Sequence, residues 1–93
     1  MSRETGTGMV SLVREMVLAL IDDPGSARVS GEYSDGCVLV QVTVAQSDLG
    51  KVIGKEGRMA RSLRTIVGAA SRKTGVRCEL NLTGDEERQG AKL

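Results

Sequence analysis

The 93-residue chain is sized for one small folding unit, and 40% of it is apolar, yet it contains a single aromatic, Tyr33, and no Phe, Trp or His. Its core must therefore be built from Val, Leu, Ile, Met and Ala, and a surface that stacks bases on aromatic rings is excluded. The net charge of +1 hides a segregation: residues 1–50 hold three basic and seven acidic side chains, residues 51–73 seven basic and one acidic, and residues 74–93 three basic and four acidic.

Residues 1–8 are polar and glycine-containing and read as a loose tail. Met9, Leu12, Val13, Met16, Val17, Leu20 and Ile21 then recur at helical spacing until Asp22-Asp23-Pro24-Gly25 stops the run. Residues 27–33 are a weak strand, broken by Gly31, and Ser34-Asp35-Gly36 carries the Asp-Gly signature of a tight hairpin. The next strand is clearer, because Val38, Val40, Val42 and Val44 alternate with Leu39, Gln41 and Thr43 and predict a valine face turned inward. Ser47 is placed to cap a short helix from Asp48 to Ile53, which Gly54 ends.

Beyond Gly57 a longer helix is predicted to Thr74, with Ala60, Leu63, Ile66, Val67 and Ala70 as its apolar stripe and Gly75 as its stop. A last strand should turn Val76, Cys78, Leu80 and Leu82 inward and Arg77, Glu79 and Asn81 outward, leaving Gln41, Thr43, Arg77 and Glu79 on an outer sheet face for solvent or a weakly polar partner. Residues 84–93, including Glu86 and Glu87, read as a charged tail around a folded unit of residues 9–83. The order helix, strand, strand, helix, helix, strand predicts an α+β fold: a hairpin and a right-handed two-helix crossover make a three-stranded sheet with helices packed on one face.

The chemistry concentrates at Val52-Ile53-Gly54-Lys55-Glu56-Gly57, an apolar pair entering a Gly-x-x-Gly loop that an arginine-rich helix follows at once. Two glycines three apart let backbone meet backbone, and the helix behind them points free N–H groups and a positive dipole end at the same place. Phosphates are the anions this arrangement suits. A nucleotide-hydrolysing P-loop is excluded by spacing, since Gly50 and Gly54 enclose three residues instead of four and Glu56 stands where a Mg²⁺-binding Ser or Thr is needed. With no His and no Ser or Cys beside a base, no enzyme is expected; nor is a cofactor or metal, for Cys37 and Cys78 lack metal or disulfide-scaffold spacing. Without a secretory signal or membrane-spanning run, the expected location is the cytoplasm.

From Val10 to Leu82 the residues resemble a K-homology (KH) domain of type II topology. The segment Gly50-Lys51-Val52-Ile53-Gly54-Lys55-Glu56-Gly57-Arg58 and the Arg-Ser-Leu-Arg-Thr-Ile-Val continuation are similar to the small single-KH bacterial RNA-binding proteins of the KhpA (YlqC) family. That resemblance implies a clamp on about four nucleotides of single-stranded RNA or DNA. Gly54, Lys55, Glu56 and Gly57 would form the clamp, Lys51, Arg58 and Arg61 would add positive field, and Ile53 with the apolar edges of the neighbouring helix and strand would wall the groove, while Val40 and Val42 belong to the core. Glu56 departs from the most favourable loop chemistry, because its carboxylate faces the expected phosphates. The resemblance further implies a homodimer or a KhpB (Jag/EloR)-type partner and post-transcriptional or RNA-chaperone work in cell elongation and division. The rival expectation is a protein-interaction, dimerisation or ribosome-associated module with incidental RNA binding.

Overall fold

A computed structural model describes residues 3–85. The elements run α1 (Arg3–Leu18), β1 (Arg28–Ser34), β2 (Cys37–Val44), α2 (Gln46–Ile53), α3 (Arg58–Thr74) and β3 (Arg77–Gly84), with 3-10 turns at Pro24–Ser26 and Lys55–Gly57. The sheet order is β1-β2-β3, with β1 antiparallel and β3 parallel to the central β2. This is the expected α+β arrangement, and it follows from the connections: two residues join β1 to β2, whereas a parallel partner for β2 requires the long α2–α3 crossover.

Valine alternation makes the core. Val38, Val40, Val42 and Val44 are each at most 1% exposed, and they meet Val13 and Val17 of α1, Val52 of α2 and Leu63 and Val67 of α3. In the hairpin, Asp35 (φ 46°) and Gly36 (φ 76°) are both left-handed, as a two-residue turn matched to strand twist requires. Gly36→Ala should therefore lower unfolding free energy by about 1 kcal/mol with an unchanged urea m-value, as read from equilibrium denaturation.

Several boundaries differ from expectation. The helix predicted from Met9 already begins at Arg3 and ends at Leu18, three residues before Ile21, since the Val17 carbonyl accepts the Leu20 N–H (2.9 Å) in a tighter last turn. Ser47 is not the cap of α2: Ala45 holds that position, and the N–H of Gln46 donates to Asp85 Oδ1 at 3.2 Å. Gly84 and Asp85 thus belong to the fold, while residues 86–93 of the expected tail, Glu86 and Glu87 among them, lie outside the described residues. Ile66, assigned to the apolar stripe of α3, is 46% exposed. At 3.6 residues per turn it stands well round the helix from Ala60, Leu63 and Val67, which do face the sheet. On the outer sheet face Arg77 and Glu79 are exposed as expected, but Thr43 is buried, with its hydroxyl 3.3 Å from that of Thr83. No described helix is long and apolar enough to cross a membrane.

Candidate nucleic-acid interface

The loop between α2 and α3 takes a shape that its sequence demands. Gly54 adopts φ 78°, ψ 174°, a region essentially restricted to glycine, and a Cβ there would lie 2.7 Å from Met59 Cβ and 2.8 Å from Met59 N. Glu56 (φ 56°) and Gly57 (φ 75°) follow in left-handed conformations, and the Gly57 N–H closes the turn on the Gly54 carbonyl at 3.1 Å. Beyond its chain neighbours, nothing among the described residues lies within 4 Å of where a Gly57 Cβ would stand, so another backbone can approach there. No side chain among the described residues caps α3, leaving the positive end of a 17-residue helix directed at this open loop.

Charge is distributed to match. Lys55 is exposed and makes no ion pair among the described residues. Glu56 is drawn toward Arg58, Oε1 to Nη2 at 3.3 Å, between two exposed side chains. Such a contact is weak and exchangeable, so a phosphate can displace the carboxylate from Arg58. Beside the loop, Ile53, Gly57, Ala60, Arg61, Arg64 and Leu82 line a cleft of about 340 Å³. It continues between α3 and β3 into a second of about 310 Å³, lined by Arg64, Val67, Cys78, Glu79 and Leu80. The result is a groove that is apolar beside the loop and mixed further along, where Glu79 joins its lining, with arginines on the α3 rim and, among the described residues, the open edge of β3 on the other side. Burial pushes the Cys78 thiol up, favouring its neutral form.

The structure brings Ile53, Gly54, Lys55, Glu56, Gly57, Arg58 and Arg61 to one loop-and-groove surface and treats Lys51 differently. Lys51 Nζ forms ion pairs with Asp22 and, at 3.2 Å, with Asp48, and its pKa is raised, first by the hydrogen bond to Asp22 and then by that to Asp48. The partner Asp48 is 1% exposed. Its carboxylate accepts the backbone N–H groups of Asp22 (3.1 Å) and Asp23 (3.0 Å). These bonds, the Asp22 N–H foremost and then Asp23 and Lys51, hold the carboxyl below its usual range against the opposing effect of burial. Arg64 and Leu82 also line the groove, Leu82 supplying the apolar strand edge that the resemblance implies without a named residue. Arg64 was detectable by its spacing from Arg61, but the contribution of Leu82 depends on β3 returning beside α3.

A family model for the KH domain of KhpA and KhpB matches residues 10–82. The chain belongs to the KhpA/KhpB KH-domain family. Among KhpA relatives, the RNA-binding protein KhpA of Halalkalibacterium halodurans is 44% identical over 80% of this chain and 97% of its own length. The KhpA of Treponema pallidum is 38% identical over 80% of this chain and 98% of its own. In fold, the KH chain is similar to part of Era in a crystal structure with MgGDPNP and nucleotides 1506-1542 of 16S ribosomal RNA, with a TM-score of 0.55 at 19% identity. That match covers 82% of this chain and 29% of the Era chain. The type II KH assignment thus stands on sequence and architecture together. KH domains of this family are non-enzymatic binding modules, and the chain is not an enzyme.

Proposed function

We propose that the chain binds single-stranded RNA by clamping its backbone at Gly54–Gly57 and resting bases in the groove walled by Ile53, Ala60 and Leu82. The observation that carries this reading is the conjunction of an open glycine loop, an uncapped helix end and an unpaired Lys55, all bordering one apolar groove. Lys55, Arg58 and Arg61 contact phosphates, Glu56 yields its weak contact with Arg58 to the incoming phosphate, and Gly54 and Gly57 admit the strand. Lys51 acts at one remove: its charge is shared with two carboxylates, so it contributes field and support more than a direct contact. Bases lack aromatic platforms here, so affinity rests on phosphate contacts and groove fit and should be micromolar or weaker, a Kd of roughly 10⁻⁶ M upward at physiological salt. Single-stranded DNA fits the same clamp. The family resemblance supports, as part of this proposal, work in the cytoplasm as a post-transcriptional regulator or RNA chaperone in cell elongation and division, as a homodimer or beside a KhpB-type KH partner.

A docking-module reading is favoured by one observation, the 46% exposure of Ile66 on α3. Fluorescence-anisotropy titration of a short single-stranded RNA pool at two salt concentrations separates the two. The wild type should bind with a negative salt dependence, and a Lys55→Asp, Glu56→Asp double variant that folds normally should bind at least about tenfold more weakly, equivalent to about 1.4 kcal/mol. Equal binding by both proteins would overturn the clamp and favour docking.

A further inference from the structure

We propose that the outward face of α3 is a phosphate track, a second RNA site that engages the backbone of the strand beyond the nucleotides held by the Gly54–Gly57 loop. This rests on the clamp reading and extends it. The helix carries five cations, Arg58, Arg61, Arg64, Arg72 and Lys73, and no acidic residue in 17 positions. Like charges three residues apart, as at Arg58/Arg61 and Arg61/Arg64, weaken a helix, and a merely solvated helix usually offsets them with carboxylates one turn away. None is supplied within α3 itself, although Arg58 meets the loop carboxylate of Glu56.

The placement of the charges is directional. At 3.6 residues per turn, Arg58, Arg61, Thr65 and Arg72 fall within a sector of roughly 60°. All are exposed, and they face away from Ala60, Leu63 and Val67, which pack on the sheet. Arg58, Arg61, Ser62 and Thr65 line a third cleft of about 380 Å³. Within it Thr65 Oγ1 is already committed to the Arg61 carbonyl at 3.0 Å, while the Ser62 hydroxyl makes no hydrogen bond among the described residues and can donate to an anion. Further along, the Arg72 guanidinium folds back over Gly68: its Nη1 lies 3.8 Å from the point a Cβ on Gly68 would occupy.

Arg61 joins the two sites, for it lines both the groove and the outer cleft. A strand clamped at the loop can therefore pass over Arg61 and continue along the helix toward Arg72. The distance from Arg58 to Arg72 along the axis is about 21 Å, enough for several consecutive phosphates. Arg64, turned to the Leu80 carbonyl at 3.5 Å, stays with the groove.

The test compares a tetranucleotide with a dodecanucleotide of the same base composition, both single-stranded RNA, titrated into ¹⁵N-labelled protein at several salt concentrations. The longer strand has more binding registers, which raises apparent affinity without changing the salt slope, so the slope is the readout. For the wild type the dodecanucleotide slope should be steeper by about 1.4, the value for two further single-strand phosphates. Arg72→Glu and, separately, Arg72→Ser should remove that increment and leave tetranucleotide affinity within about twofold, since Arg72 is more than a Debye length from the loop. Circular dichroism identifies a variant that has lost its fold, and the other then decides. Equal slopes for the two lengths in the wild type, or variants that weaken both lengths alike, would overturn the track and leave the clamp standing. No binding of either length would overturn both.

Discussion

Gly54→Val should destabilise the domain by about 3 kcal/mol or more and abolish RNA retention at the same time. The residue sits at φ 78°, ψ 174°, where a β-branched side chain is strained, and its Cβ would meet the backbone nitrogen of Met59 at 2.8 Å. A flexible side chain could rotate away from such a contact, but a backbone atom in the first turn of α3 cannot. Relief requires the loop to lift from the helix, which separates the Gly54 carbonyl from the Gly57 N–H it accepts at 3.1 Å. Small domains hold only about 0.05–0.15 kcal/mol per residue, so such a loss is a large share of the total. Gly57→Ala is the contrasting variant. Gly57 is left-handed too (φ 75°), but its Cβ would enter open space, so the stability cost should be about 1 kcal/mol while the methyl group stands where a phosphate would approach. Urea denaturation of the two variants, followed by RNA titration of Gly57→Ala, checks both statements. A Gly54→Val protein that melts with the wild type would show that the loop is free to reshape.

The same contrast marks how far local pattern carries in this chain. The valine alternation of β2, the Asp35-Gly36 turn and α3 from Arg58 to Thr74 were all legible, because each depends on periodicity or on a φ requirement written into neighbouring residues. The glycine loop was legible for the same reason. Long-range contacts were not. Ser47 looked like the cap of α2, yet the N–H of Gln46 is satisfied by Asp85, 39 residues away, after β3 has returned along β2. Likewise Thr5, Gly6 and Gly8 argued against helix at the N-terminus, whereas α1 runs from Arg3. The groove shows the limit most clearly. Ile53, Arg58 and Arg61 follow from position beside the loop, but Leu80 and Leu82 become its second wall only through the parallel pairing of β3 with β2.

Lys51 and Asp48 belong to the same class of tertiary surprise, and they carry the other large expected effect. Asp48→Ala should lower the melting temperature by roughly 5–10 °C, because it strands the N–H groups of Asp22 and Asp23 and releases Lys51 from one of its two carboxylates. Those bonds tie the turn after α1 to the first turn of α2, the helix that delivers Ile53 and Gly54 to the groove, so the variant should also bind RNA more weakly. The pH dependence distinguishes this from a simple packing defect. Asp48 is held below its usual value of 3.8, so its contribution to stability is complete above that value and is lost as pH falls through the lower folded pKa. Lys51 is held above 10.5, so its contribution is complete below that value and is lost as pH rises through the higher folded pKa. The stability difference between the wild type and Asp48→Ala should therefore be flat from about pH 5 to pH 9 and narrow only in stronger acid or base. Thermal denaturation from about pH 2 to about pH 12 reads this directly. A difference that varied through the neutral range would mean that some other titrating group controls the junction, and that the Asp48 carboxylate is not what fastens α2 beneath the loop.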